Sequence, residues 1–267
     1  MNNKIGVAII TCNRQDFFEQ CVKSVPDGID VVVINDGIPY KREAYPSNVK
    51  EVIQHVNNKS VGVSKNEALR YLKQKDCDHL FLMEDDIFIK NPKVFETYIK
   101  TASKSGIWHL NYGGHGNYNR NLHTNQVNVK QVIDYGDITV DFYQNILGAF
   151  SYYHKGVIRA AGYMDERYIN AMEHVDHTYN IIKLGLHSPF WFFADIHNSW
   201  EYIQDIKANF EGSEIRKDLV VWQKNFNNAC ALFEHKHGVA PTRVPPTNEE
   251  NTLNLLKEIR KNYAREL

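Results

Sequence analysis

The chain has 267 residues, 43% hydrophobic and 24% charged, the proportions of a globular protein that can bury a sizeable core. Thirty-one Lys and Arg offset 32 Asp and Glu for a net charge of −1, which argues against a general electrostatic grip on nucleic acid and leaves only a local patch open. Cys12, Cys21, Cys77 and Cys230 form no CxxC pair or zinc spacing, and no apolar run approaches the roughly 18 to 20 residues that span a bilayer.

Lys4 to Thr11 is a continuous apolar run, the pattern of a strand covered on both faces, and too short for a signal peptide. Phe18, Cys21, Val22 and Val25 follow at helical spacing. Asp30 to Asn35 reads as a second buried strand broken by Asp36-Gly37, and Glu51 to Val56 as a short third. Ser64-x-x-Glu67 has the form of a capping box opening a helix through Leu72. His79 to Met83 is a fourth strand, and Asn91-Pro92 supplies an N-cap and a first-turn proline for a helix burying Phe95, Tyr98 and Ile99. This alternation predicts an α/β fold with a mostly parallel sheet, whose ligands bind at the carboxyl ends of the strands.

From Ile107 to about His154 the pattern is β-rich, with Gly-Gly-His-Gly-Asn (113–117) reading as a flexible loop. A helix is expected from Glu173 to Leu184, stopping at Gly185, and a strand from Pro189 to Ile196. Beyond Glu201 the pattern is less legible. Three prolines between Val239 and Pro246 suggest a linker to a final amphipathic helix with Leu253, Leu256, Ile259 and Tyr263 on one face. The expected organisation is a catalytic domain over 1–200, with a nucleotide-binding half (1–100) and an acceptor half (101–200), followed by a helical extension over 201–267.

The chemistry concentrates at strand ends. Glu84-Asp85-Asp86 sets three acids between apolar strands, where mutual repulsion and burial both disfavour ionisation. A divalent cation removes both objections; Mg²⁺ and Mn²⁺ prefer carboxylate oxygens and share their shell with phosphate and water. The competing reading is a solvated turn. Thr11-Cys12-Asn13-Arg14 ends the first strand and Asn35-Asp36-Gly37 the second, where Asp36 can accept from a base N–H. Either alone is ordinary turn chemistry, but all three share one sheet edge.

These elements resemble the GT-A (Rossmann-like) nucleotide-sugar glycosyltransferases, in particular the bacterial polysaccharide and cell-wall enzymes. The resemblance rests on Thr11, Asn13 and Arg14, on Asp36, on Gly62-Val63-Ser64-Lys65-Asn66, and on Glu84-Asp85-Asp86 as an Asp-x-Asp-like motif. It implies that Asp36 contacts uracil, that Asp86 holds the metal, and that Glu84 faces the ribose. Asp85, Lys65, Arg14 and Gly148, within Leu147-Gly148-Ala149-Phe150, are further expected donor contacts. Glu173-His174-Val175-Asp176 falls where such enzymes carry Glu-Asp-x-Asp; His174 takes the base position, with Glu173 and Asp176 as the other candidates. His197, after the strand from Pro189, is the expected second metal ligand.

The implied activity is metal-dependent transfer of a sugar from a UDP-sugar to a hydroxyl acceptor, with inversion and with Mn²⁺ or Mg²⁺ as cofactor. A glycan is the expected acceptor, nucleic acid is disfavoured without being ruled out, and the expected location is the cytoplasm, with peripheral membrane contact open. The rivals are a nucleotidyltransferase, which would show a Gly-rich phosphate loop after the first strand, and a non-catalytic nucleotide- or carbohydrate-binding module.

Overall fold

The computed structural model describes residues 4–207 and 212–265. Its centre is set by strands whose side chains alternate between two cores. In β1 (Ile5–Thr11), Val7 and Ile9 enter one core while Ala8 and Ile10 enter the other. In β4 (His79–Glu84), Phe81 and Met83 oppose Leu80 and Leu82 in the same way. Burial on both faces is why these strands are written as unbroken apolar runs.

With β2 (Val31–Asn35), β3 (Val49–Gln54), β6 (His109–Asn111) and β9 (Phe150–His154) they form a six-stranded sheet in the order β3-β2-β1-β4-β9-β6. The first four strands are parallel, β9 is antiparallel to β4, and β6 is antiparallel to β9. Helices α1 (Gln15–Ser24) and α3 (Val94–Ser105) cover one face through Phe18, Val22, Phe95 and Tyr98. Helices α2 (Val61–Gln74) and α4 (Lys155–Ala161) cover the other through Leu69, Leu72, Val157 and Ile158. The expected α/β class and mostly parallel sheet are therefore present. Two small antiparallel sheets flank this body: β7 (Gln131–Asp134), β8 (Thr139–Tyr143) and β10 (Phe193–Ile196) in the order β10-β8-β7, and β5 (Ile87–Ile89) with β11 (Ile203–Asp205).

Helix α5 (Glu173–Lys183) ends before Gly185, whose φ of +70° suits a left-handed stop. Helix α6 (Leu219–His237) occupies the segment whose pattern is illegible in sequence, and α7 (Glu249–Tyr263) packs on α3 with Thr252, Leu256 and Ile259 buried. No helix among the described residues is long and apolar enough to cross a membrane.

Several expected boundaries move. Helix α2 starts at Val61, not at Ser64; the Ser64 hydroxyl donates back to the Ser60 carbonyl at 3.0 Å, and Glu67 turns to His55 and Lys59, so no capping box forms. Asn91 makes a turn by accepting from the Lys93 N–H at 3.0 Å, and α3 begins only at Val94. Pro189 to Phe192 form a turn, leaving β10 shorter than expected. The stretch at 113–117 is not a loose loop. Gly113 to Gly116 are buried, the Gly113 N–H donates to Asp195 at 2.8 Å, and a Cβ on Gly113 would collide with the Tyr143 ring. Its glycines serve close packing rather than freedom.

Candidate active site

The carboxyl ends of β1, β2 and β4 open into a cavity of about 610 Å³. Its walls include Thr11 to Arg14, Asp36, Glu84 to Asp86, His115, Gly148, Glu173 and His174. Parallel pairing puts the strand ends level, with Thr11 beside Asn35 and Ile10 beside Glu84, so residues far apart in sequence share one rim.

A hydrogen-bonded chain ties the first strand end to the acids. The Arg14 N–H donates to the Tyr40 hydroxyl at 2.9 Å, which donates to Thr11 Oγ1 at 2.7 Å, and Thr11 Oγ1 donates to Asp85 Oδ2 at 2.6 Å. The Arg14 guanidinium binds Asp85 Oδ1 and reaches Asp86 Oδ2 at 3.4 Å. Asp85 is fully buried; loss of water pushes its carboxyl up to about 7 against the pull of Arg14, and neighbouring Asp86 pushes the same way. Asn13 has φ +56° and accepts from the Ile38 N–H at 2.8 Å, so it shapes the turn after β2.

Asp36 is held by the Lys59 N–H at 2.7 Å and by His55 Nδ1 at 2.5 Å, and both bonds fall on Oδ1. His55 Nε2 meets Glu67 at 2.5 Å, so a carboxylate–imidazole–carboxylate relay fixes the group that faces the cavity.

A second charged network adjoins these acids through Glu84. Lys65 is 1% exposed and stands behind the lining, with Nζ 2.6 Å from Glu84 Oε1, 3.0 Å from Glu173 Oε1 and 3.2 Å from the Gly148 carbonyl. Burial pushes Glu173 up, but the Lys65 ammonium and His174 outweigh it and hold the carboxyl well below the usual range. Glu84 is likewise pushed up by burial and brought below its ordinary value by Lys65. Glu173 Oε1 meets His174 Nδ1 at 3.1 Å and so orients the imidazole. A Cβ on Gly148 would stand 2.9 Å from Lys65 Nζ and 3.0 Å from His174 Nδ1, so the bare backbone is needed there.

Two expected residues lie elsewhere. Asp176 turns away from the cavity into buried contacts with Lys236 Nζ and His237 Nε2, both at 2.7 Å, and with the Tyr168 hydroxyl at 3.0 Å. It latches α5 to α6, since Lys236 and His237 belong to the last turn of α6. His197 is outside the cavity lining; its Nδ1 meets Asp141 at 2.8 Å and the ring is 46% exposed, because β10 ends beside β8 rather than beside the acids.

A histidine that shares the cavity with the acids, besides His174, is His115, which lies inside the glycine-rich stretch and is not among the residues expected from the sequence. Asp205 Oδ1 holds its Nδ1 at 2.8 Å. Burial pulls the imidazole down, but the Asp205 bond and the fields of Asp86, Asp205 and Glu84 raise it to about 8. The signal that could have found it is that Gly113, Gly114 and Gly116 leave one side chain to present.

Among the described residues, no three His, Cys, Asp or Glu side chains form a ready cage for a metal ion. The donors nevertheless fit an ion that arrives with a diphosphate. Asp86 Oδ1 is buried without a hydrogen-bond partner, a costly state that a cation relieves. His115 has the carboxylate-backed imidazole common at metal sites, and Mg²⁺-type ions keep only one or two protein carboxylates beside phosphate oxygens.

No protein-family profile matches the chain, and no curated protein matches it in sequence. Solved structures do match in shape. A mannosyltransferase from Pyrobaculum calidifontis, in complex with GDP-mannose and Mn²⁺, aligns over 96% of this chain and 69% of its own at 9% identity and a TM-score of 0.55. GalNAc-T7 with UDP, GalNAc and Mn²⁺ aligns over 97% of this chain and 54% of its own, at 11% identity and the same TM-score of 0.55. The parallel sheet, the acids at its carboxyl edge and these likenesses agree on one architecture: the chain has the GT-A fold of nucleotide-sugar glycosyltransferases.

Proposed function

We propose that this protein is a glycosyltransferase that moves a sugar from a UDP-sugar to a hydroxyl acceptor with the help of Mn²⁺ or Mg²⁺. The observation that carries the reading is one cavity that gathers Asp36 and Glu84 to Asp86, from the ends of β2 and β4, together with an oriented histidine, His174. Support also comes from the neighbours of like fold, crystallised with nucleotides or nucleotide-sugars and Mn²⁺.

Asp36, fixed by His55 and Lys59, accepts from the base; Thr11, Asn13 and Glu84 border the ribose and the diphosphate. Asp86 and His115 would hold the metal, which neutralises charge on the departing diphosphate. Asp85 anchors Arg14 beside that charge. Glu173, kept anionic by Lys65, accepts a hydrogen bond from His174 Nδ1–H and so leaves Nε2 to accept the proton of the acceptor hydroxyl. The acceptor oxygen then bonds to the anomeric carbon as the bond to the phosphate oxygen breaks and the nucleoside diphosphate departs with the electron pair. One displacement inverts the anomeric centre.

The test is nucleotide release from a panel of UDP- and GDP-sugars with and without Mn²⁺. We expect Mn²⁺-dependent release from a UDP-sugar and its loss in Asp86→Ala. No metal-dependent turnover on any donor, or an Asp86→Ala enzyme with intact UDP affinity and rate, removes the foundation of this reading.

A further inference from the structure

Another part of the cavity lining is apolar, formed by Ile215, Trp222 and Phe226, and it does not stop at the mouth. Trp222 and Phe226 on α6 line the cavity and stack at 5.6 Å between ring centroids with 21° between planes. Leu219, three residues before Trp222 and so on nearly the same side of α6, is 66% exposed and carries the apolar surface outward. Ile215, itself in the cavity lining, is 41% exposed. Single exposed apolar side chains are ordinary, but a contiguous group at the mouth of a polar site marks a binding surface. The patch is also built firmly. Asp218 Oδ1 accepts from the N–H groups of both Val220 and Val221 at 3.0 Å, so this first turn is fixed by its own cap. An open groove lined by Leu219, Val220, Gln223 and Lys224 runs along the outer side of the same helix.

Resting on the glycosyl-transfer reading, the geometry points to an amphipathic acceptor: a saccharide whose ring lies against Trp222 and whose apolar aglycone runs out over Ile215 and Leu219. The ring presents its hydroxyl toward His174 and its C–H face to the indole. The tail leaves through the mouth along a strip one helical turn wide, which suits a single hydrocarbon chain. A second protein copy fits less well, because four side chains fall far short of the roughly 800 Å² per partner of a stable interface. Lys224 beside the groove and the Arg216 guanidinium, 5.1 Å from the Trp222 ring centroid, add positive charge where an acceptor with an anionic link between sugar and tail would carry its charge.

The experiment measures binding of methyl and octyl glycosides of glucose, galactose, mannose and N-acetylglucosamine, below their micelle concentrations, to the full chain with UDP and Mn²⁺ present. At least one octyl glycoside is expected to bind tenfold or more tightly than its methyl partner, since each seated methylene is worth about threefold to fourfold. Leu219→Asp, at a 66% exposed position outside the cavity lining, is expected to fold and bind UDP as the parent does, and to erase the octyl advantage. Equal binding of methyl and octyl glycosides overturns the proposal. So does an octyl advantage that survives in Leu219→Asp, or a Leu219→Asp change that alters only the oligomeric state. Metal-dependent donor hydrolysis, measured without any acceptor, reports separately on the glycosyl-transfer reading.

Discussion

Replacing Lys65 by methionine removes the ammonium that bridges buried Glu173 and partly buried Glu84, at 3.0 and 2.6 Å from its Nζ. Breaking a buried ion pair on one side costs about 3–5 kcal/mol, because the partner charge is left without compensation. At about 2–4 °C per kcal/mol for a chain of this size, the midpoint of thermal unfolding should fall by about 6–20 °C at pH 7. The sign of the pH dependence follows from Glu173 and Glu84, whose carboxyls lie below their ordinary values in the folded protein. Their contribution is fully present above the unfolded carboxylate pKa of about 4.3 and is lost as pH falls toward the folded value. In Lys65→Met burial acts on the same carboxyls without the ammonium that offsets it, so the variant is penalised most at neutral pH and is relieved by acid. Urea unfolding of both proteins at pH 7 and pH 4.5 should show a wide gap that narrows at the lower pH. Equal stability at pH 7, or a gap independent of pH, would refute the view that Lys65 neutralises this wall.

Three other substitutions separate the roles of neighbouring residues. His174→Ala should reduce turnover by about 10²–10⁴-fold with UDP affinity retained, as expected for loss of a general base; unchanged single-turnover rates would move that role elsewhere. Asp176→Ala should do the reverse, losing about 3–5 kcal/mol in denaturant titration while keeping turnover close to the parent, since its partners are Lys236, His237 and Tyr168. Gly148→Ala should cost about 1–3 kcal/mol of stability and lower kcat more than donor KM, because the new methyl displaces His174 or Lys65. A Gly148→Ala enzyme with parental kcat would show that the tight fit there has no catalytic consequence.

The strands were legible because two-sided burial leaves no polar positions to blur them: Val7 to Ile10 and Leu80 to Met83 are written in apolar letters alone. Helix α6 was not, because Leu219, Val220 and Val221 face water while Ala229 and Phe233 face the core, which erases a single apolar stripe. Helix starts were misplaced where a local polar contact competed with the cap, as Ser64 and Asn91 both illustrate. In the site, the triple acid and Asp36 announced themselves through the expense of charge at a strand end. The division of labour did not. Whether His115 or His197 reaches the acids depends on how β5 meets β11 and β10 meets β8, pairings between distant segments that no local pattern encodes.

The Asp176 latch has a mechanical consequence. It grips α6 at Lys236 and His237, whereas Trp222 lies 15 residues earlier, about 22 Å along the helix axis at 1.5 Å per residue. A helix secured at one end acts as a lever, and a tilt of about 5° around the latch would sweep the indole through about 2 Å, given that axial length. The joint is shared, since Tyr179 of α5 packs against Phe233 and His237 and Lys183 Nζ meets His237 Nδ1 at 2.9 Å. Because that same helix begins at Glu173, the separation of imidazole and indole depends on this joint, and on the proposed reading adjustments there would retune which acceptor rings fit.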